Sequence, residues 1–309
     1  VLHFLHQKFG CDLNLATNAG RTPAFAAAFH GHESCLKLLI EAGCDLNQAT
    51  VKGATPAFAA AFHGHESCLK LLRDAGCDLQ KANNDGATPA YIAAENGHEA
   101  CLKLLIEAGC DLNLTTNIGS TAAYVAAQNG HKGCLKLLRE AGCDLNLANK
   151  DENTPAIVAA FYGHEACLKI LKKAKCDLNQ ANTYGSTPAH AAAETGHEAC
   201  LRLLHEAGCD LQKANKNEAT PAYVAAQKGH EGCLKLLRDS GCDLNQATHN
   251  GCTPAFAAAF HGHESCLKLL RDAGYDLQKA NNDGATPAFI AAYNGHEGCL
   301  RLLKEADCD

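Results

Sequence analysis

The sequence contains no methionine and no tryptophan, and only 6% of its 309 residues are aromatic. Without a methionine there is no initiator, so the chain is expected to be processed or to be a piece of something longer. No apolar run approaches the roughly 20 residues needed to cross a bilayer, and the first residues carry no cleavable signal pattern. Basic excess is missing too. The formal net charge is -7, which argues against nucleic acid or an acidic membrane surface as partner, since both call for a basic face. No nucleophile-base-acid constellation stands out, and no phosphate-cradling Gly-x-x-x-x-Gly-Lys loop occurs. Nothing in the sequence supports catalysis, so a non-catalytic protein without a cofactor is expected. Proline is scarce, at 8 residues, whereas cysteine, at 19, is abundant.

What is present is periodic, and an internal period outranks other sequence signals. Thr-Pro recurs at Thr22-Pro23, Thr55-Pro56, Thr88-Pro89, Thr154-Pro155, Thr187-Pro188, Thr220-Pro221, Thr253-Pro254 and Thr286-Pro287, with Thr121-Ala122 in the one gap. The step is 33 residues over nine units, without insertion or deletion. Gly-His pairs keep the same step from Gly31-His32 to Gly295-His296. Residues 53–89 and 251–287 differ only at Ala54/Cys252 and Cys77/Tyr275, a duplicated block offset by 198 residues.

Each unit reads as helix, turn, helix, hairpin. In the unit beginning at Gly53, Thr55 is a favourable N-cap and Pro56 a favourable first helical residue. Ala57 to Phe62 is a short alanine-rich helix that Gly64 ends. His65 opens a second helix with Cys68, Leu69, Leu71 and Leu72 on its apolar side. Gly76 stops that helix, and Asn84-Asp85-Gly86 signals a tight turn.

The chain resembles the ankyrin-repeat family over essentially its whole length. The family pattern Gly-x-Thr-Pro-Leu-His, Ala-Ala-x-x-Gly-His, Leu-Leu-x-x-Gly-Ala-Asp appears as Gly53-Ala54-Thr55-Pro56-Ala57-Phe58, Ala60-Ala61-Phe62-His63-Gly64-His65 and Leu71-Leu72-Arg73-Asp74-Ala75-Gly76-Cys77-Asp78. The resemblance implies an all-α solenoid of helix-turn-helix units joined by short β-hairpin-like loops. Residues 1–309 are expected to form one domain, with a partial repeat over 1–19 and repeats starting at 20, 53, 86, 119, 152, 185, 218, 251 and 284, the last incomplete. The family leucine after Thr-Pro is alanine here. The family histidine survives only as His190 and is aromatic in most units (Phe25, Phe58, Tyr91, Tyr124, Tyr223, Phe256, Phe289), so aromatic packing is expected in place of histidine hydrogen bonding.

One helix pair cannot bury its own apolar stripe, so each unit must stack on its neighbours. Glu66/Lys70 and its equivalents Glu33/Lys37 and Glu264/Lys268 stand four apart, in the order that favours a helix-surface ion pair. At the ends, Val1 to Gly10 aligns poorly with a second helix, having His3 and His6 where leucines belong, and the chain stops at Cys308-Asp309. Residues 152–184 are expected to be the weakest repeat. Glu152 replaces the hairpin glycine and Lys175 the glycine after the second helix, whereas Glu218 and Asp307 repeat one fault each.

His-x-x-Cys pairs such as His32/Cys35 and His65/Cys68 share a helix face. Each unit supplies only two ligands where structural zinc wants four, and the family resemblance implies that the histidine braces the second helix. No metal is therefore expected. The cysteines form two columns, one of Cys35 and its equivalents, the other from Cys11 through Cys44, Cys77, Cys110, Cys143, Cys176, Cys209 and Cys242 to Cys308, interrupted by Tyr275. Neighbours in a column are one repeat apart, beyond the roughly 7 Å that a disulfide spans. Buried, reduced thiols and an intracellular, cytoplasmic or nuclear, location are expected. Cys252 belongs to neither column and is the thiol marked for reactivity.

The resemblance implies a concave face lined by hairpin tips and first-helix ends that binds proteins. The residues there that vary between units and carry rings are Phe29, His30, Phe62, His63, Phe161, Tyr162, Tyr184, Phe260, His261 and Tyr293. Exposed aromatics of this kind are typical interface anchors; the competing reading is that they pack on the next hairpin. The expected function is a scaffold binding another protein through the concave face. The alternatives are a structural or assembly subunit that uses its ends or convex face, with end-to-end or larger-complex contacts, and a targeting module of a longer, enzymatic protein.

Overall fold

Each Thr-Pro pair opens a helix. Thr55 is extended (φ -92°, ψ 168°), its Oγ1 accepts from the Phe58 amide at 3.2 Å, and Pro56 takes the first turn, where a missing amide donor costs nothing. The eight-residue helix Pro56–His63 ends at Gly64 with φ 74°, a left-handed conformation that a Cβ disfavours. Glu66–Asp74 follows, with His65 at its N-cap.

The computed structural model describes residues 12–306. Helix is the only regular structure among them, which makes the protein an all-α repeat solenoid. The chain divides between Lys150 and Asp151 into two compact units. In the first unit the helix pairs are Pro23–Phe29 with Glu33–Glu41, Pro56–His63 with Glu66–Asp74, Pro89–Glu95 with Glu99–Glu107, and Ala122–Gln128 with Lys132–Glu140. In the second they are Pro155–Phe161 with Glu165–Lys173, Pro188–Thr195 with Glu198–Glu206, Pro221–Lys228 with Glu231–Asp239, Pro254–His261 with Glu264–Asp272, and Pro287–Tyr293 with Glu297–Glu305. Within each unit, first helices pack on first helices and second on second. The expectations placed on Val1 to Gly10, Cys11, Asp307 and Cys308 lie outside the described residues.

The core of either unit combines first-helix alanines, small enough for close approach, with second-helix leucines. Leu69, Leu72, Leu168 and Leu171 are completely buried, and burial of each contributes about 1.5–3 kcal/mol. Hairpins are joined by one backbone hydrogen bond per step, such as Asn84 N to Lys52 O at 3.0 Å and Asn282 N to Asn250 O at 3.0 Å.

The aromatic residues in place of the family histidine do pack inward at Phe25, Phe58, Tyr124 and Phe256. They sit under the hairpin of the following repeat, as the Tyr124 hydroxyl does in accepting from Asn149 Nδ2 at 3.3 Å. Phe289 instead is 58% exposed, because the described residues hold no hairpin after it. His190, buried, keeps the hydrogen-bonded arrangement: Nδ1 accepts from the Thr187 amide at 3.1 Å and Nε2 donates to Ala219 O at 3.0 Å. The i,i+4 pair expected on the second helices forms at Glu165–Lys169, but Lys103 turns to Glu107 instead, and Lys136, which has Lys132 in place of the glutamate four residues before it, pairs with Glu140. At Gly133 and Gly298, the glutamate of the preceding repeat (Glu99, Glu264) fills the space a Cβ would need, which draws that carboxylate away from its own helix surface.

Candidate functional site

Much of the periodic polar framework is consumed in holding repeats together. The Gly-His histidine does not cap the second helix with its side chain. It reaches back across the repeat boundary: His65 Nε2 lies 3.2 Å from Phe29 O, His98 Nε2 3.0 Å from Phe62 O, and His296 Nε2 3.0 Å from Phe260 O. This corrects the bracing role expected from the family pattern. The ring then occupies the space beside the preceding Gly, so that a Cβ on Gly64 would stand 2.6 Å from His98 Nδ1. A second link was missed in the sequence. Asn47 Oδ1 accepts from the Asp78 amide at 2.9 Å, and Gln212 Oε1 from the Asp243 amide at 2.8 Å; the recurring Asp-Leu-Asn and Asp-Leu-Gln triplets are its only sequence trace.

The thiols divide into two classes. Cys68, Cys101, Cys134, Cys167, Cys200, Cys233, Cys266 and Cys299 are buried, and burial pushes Cys101, Cys200, Cys233 and Cys266 up to about 12. Cys35 is exposed, and the second column from Cys44 to Cys242 is half-buried, which corrects the expectation of uniform burial. The buried column faces the preceding repeat, as Cys68 does Glu33; the segment preceding Cys35 lies outside the described residues. Cys252 is half-buried and its thiol is also raised by burial, so it is less activated than its place in the sequence suggests. Among the described residues, no group of three or more His, Cys, Asp or Glu side chains is placed to hold a metal ion, and no helix is long and apolar enough to cross a membrane.

The ring residues marked in the sequence have unequal fates. In the first unit, Phe29 is half-buried. It touches Phe25 at 5.9 Å between ring centroids, His30 at 5.0 Å and His63 edge-on at 4.1 Å, with the Arg21 guanidinium 5.8 Å above it. Packing therefore claims much of Phe29. Phe62 meets His63 at 4.7 Å and remains 40% exposed. His63 itself is half-buried and its Nε2 has no hydrogen-bond partner; burial and the neighbouring His65, His30 and His98 hold its pKa below the ordinary histidine value.

In the second unit, Phe161 and Tyr162 meet at 5.1 Å. Tyr184 stands apart from them on its hairpin tip, 69% exposed. Phe260 meets His261 at 4.8 Å, and Phe289 stacks with Tyr293 at 6.2 Å. Two open cavities lie between first helices and hairpins. One, about 470 Å³, is bounded by Phe58, Phe62, Asp85, Tyr91, Ile92 and Glu95 in the first unit. The other, about 760 Å³, is bounded by Phe256, Phe260, Asp283, Phe289, Ile290 and Cys252 in the second. Phe62 and Phe260 thus line cavities; the remaining marked rings lie outside them.

Stretches 1–83, 75–149, 91–182, 133–215, 156–248 and 222–309 match the family model described as ankyrin repeats (3 copies). The solved structure of the human ASB11 ankyrin repeat domain is similar, with a TM-score of 0.65 and 28% identity, over 70% of this chain and 97% of that one. No curated protein matches.

Proposed function

Because this chain belongs to the ankyrin-repeat family, whose repeats generally mediate protein–protein interactions and whose domains are typically non-catalytic, we propose that it is a scaffold. It binds a partner protein through the face formed by hairpin tips and first-helix ends. One observation carries this reading. The framework histidines and asparagines of that face are spent on bonds between repeats, whereas Phe62, Phe161, Tyr162, Tyr184, Phe260 and Tyr293 are large rings left exposed. Exposed aromatic rings on a rigid support are the side chains that dominate interface energies.

The test is capture of partners on the immobilised full chain, repeated with two sets of variants. Phe62→Ala, Phe161→Ala, Tyr184→Ala and Phe260→Ala address the proposed face. Lys70→Glu and Lys268→Glu address the exposed surface of the second helices. A partner lost with the first set and retained with the second supports the reading. The reverse pattern refutes it and favours an assembly role through the opposite face.

A further inference from the structure

The duplicated sequence block supplies the two cavities with the same floor, lip and hairpin carboxylate. Adding the 198-residue offset carries part of the first cavity's lining into the second's: Phe58 becomes Phe256, Phe62 becomes Phe260, Asp85 becomes Asp283, Ile92 becomes Ile290, and Tyr91 becomes Phe289, whereas Thr116, Asn117 and Ile118, which wall the first cavity from the next hairpin, have no counterpart in the second. The burial pattern repeats as well. Phe58 and Phe256 form the floor at 8% and 6% exposure, while Phe62 and Phe260 form the lip at 40% and 42%. The two cavities share this floor and lip but not their far wall: the first, about 470 Å³, is closed by the hairpin at Asn117 and Ile118, and the second, about 760 Å³, is open beside Phe289.

The charge around each cavity has one sign. Asp85 and Asp283 are exposed on the hairpin side, and neither carboxylate has an ion-pair partner among the described residues. No lysine or arginine lines either cavity. The first cavity adds Glu95, whose carboxyl is raised by burial and which likewise lacks an ion pair. In the second, the equivalent residue is Tyr293, which stacks on Phe289 outside the cavity lining. An apolar floor with an unpaired carboxylate at its rim fits an apolar side chain beside a cation, because each partner's exposed group is satisfied by the other.

We propose that the protein carries two related docking pockets, one per unit, each accepting a peptide segment with an aromatic or branched aliphatic side chain next to a lysine or arginine. This rests on the reading of the face given above and adds to it the chemistry of the partner and a count of two sites. The rims set the difference between them. The first pocket, with Asp85 and Glu95, holds the basic residue more tightly and loses affinity faster with salt; the second, with Asp283 as its one carboxylate, depends more on the apolar residue.

The experiment is selection of a random dodecapeptide library, displayed on phage, against the full chain, followed by calorimetric titration of the most enriched peptide. The expected peptides place an aromatic or branched aliphatic residue within a position or two of Lys or Arg, and bind at two per chain. Phe62→Ala and Phe260→Ala each reduce the count to one, and together abolish binding. Asp85→Asn and Asp283→Asn, both at exposed positions, each weaken their own site roughly tenfold. Enrichment of acidic peptides, a single site, indifference to the aspartate variants, or no enrichment overturns the proposal. Peptides that are instead lost with Phe161→Ala or Tyr184→Ala leave the face intact as the binding surface and remove only the paired pockets. Loss with Lys70→Glu and Lys268→Glu alone removes both readings.

Discussion

Glu152, Lys175 and Glu218 are the described non-glycine residues with positive φ, at 60°, 60° and 58°, in a structure whose turn glycines sit between 71° and 82°. A left-handed backbone costs a residue with a Cβ roughly 1–2 kcal/mol. Replacement by glycine removes that cost but gives the unfolded chain more freedom, worth about 0.4–1 kcal/mol in the opposite direction. The surroundings then separate the three. At the glycines equivalent to Lys175, such as Gly142 and Gly208, nothing lies within 4 Å of an added Cβ, so Lys175→Gly gains only the difference, about 0.8 kcal/mol. At the hairpin glycines equivalent to Glu152 and Glu218, a Cβ meets backbone, 2.8 Å from Lys216 N at Gly185 and 2.8 Å from Asn282 N at Gly251. The hairpin ladder nevertheless survives beside both glutamates, with Thr183 N to Asp151 O and His249 N to Asn217 O each at 3.1 Å. The crowding is therefore relieved by small shifts, which raises the gain for Glu152→Gly and Glu218→Gly to about 1.2 kcal/mol each. In a solenoid, stability is close to a sum of local and nearest-neighbour terms, so the assay is local. Amide exchange over 152–184 is expected to be faster than in the repeats starting at Gly86 and Gly251, and Lys175→Gly is expected to slow it about fourfold, since 1.4 kcal/mol is tenfold. Unchanged or faster exchange in all three glycine variants would show that these turns have adapted without strain, and the reasoning would fail.

Other outcomes follow from the links between repeats and from the buried titrating groups. Gly64→Ala is expected to cost about 2–3 kcal/mol, adding displacement of His98 to the left-handed penalty, whereas Gly76→Ala, in open space, costs about 1 kcal/mol; equal losses in urea unfolding would rule out the histidine latch. His190 is held at a pKa of about 4 by desolvation, and its Nδ1 already accepts a hydrogen bond. The unfolded chain takes up its proton near 6.5 and the folded chain only near 4, so stability falls as pH drops through that window, by about 3 kcal/mol in all. His190→Phe, the ring found at Phe58 and Phe256, should flatten that part of the stability-pH curve; an unchanged slope would assign it to other groups. With a thiol-specific chromogenic reagent at pH 8, exposed Cys35 is expected to react first and Cys68 through Cys299 only on unfolding; prompt reaction of the buried column would mean that the helices open more readily than their packing implies.

The sequence by itself determined the elements and their order, because the signals are local. Thr-Pro sets a helix start, Gly a left-handed stop, and a 33-residue step repeats both; even the strained turns at Glu152, Lys175 and Glu218 were legible as missing glycines. Only the tertiary structure decided what each side chain was for. Phe58 and Phe62 stand four apart on one short helix, yet one is a cavity floor and the other its lip. Phe29 and Phe62 hold the same place in successive repeats, but His63 and Arg21 cover the first while the second stays open. The Gly-His histidine, which looks like part of its own helix, bonds a carbonyl 36 residues earlier. Burial and partnership at a given position depend on what the neighbouring repeat places against it, and that is a property of stacking which no pattern within one repeat contains.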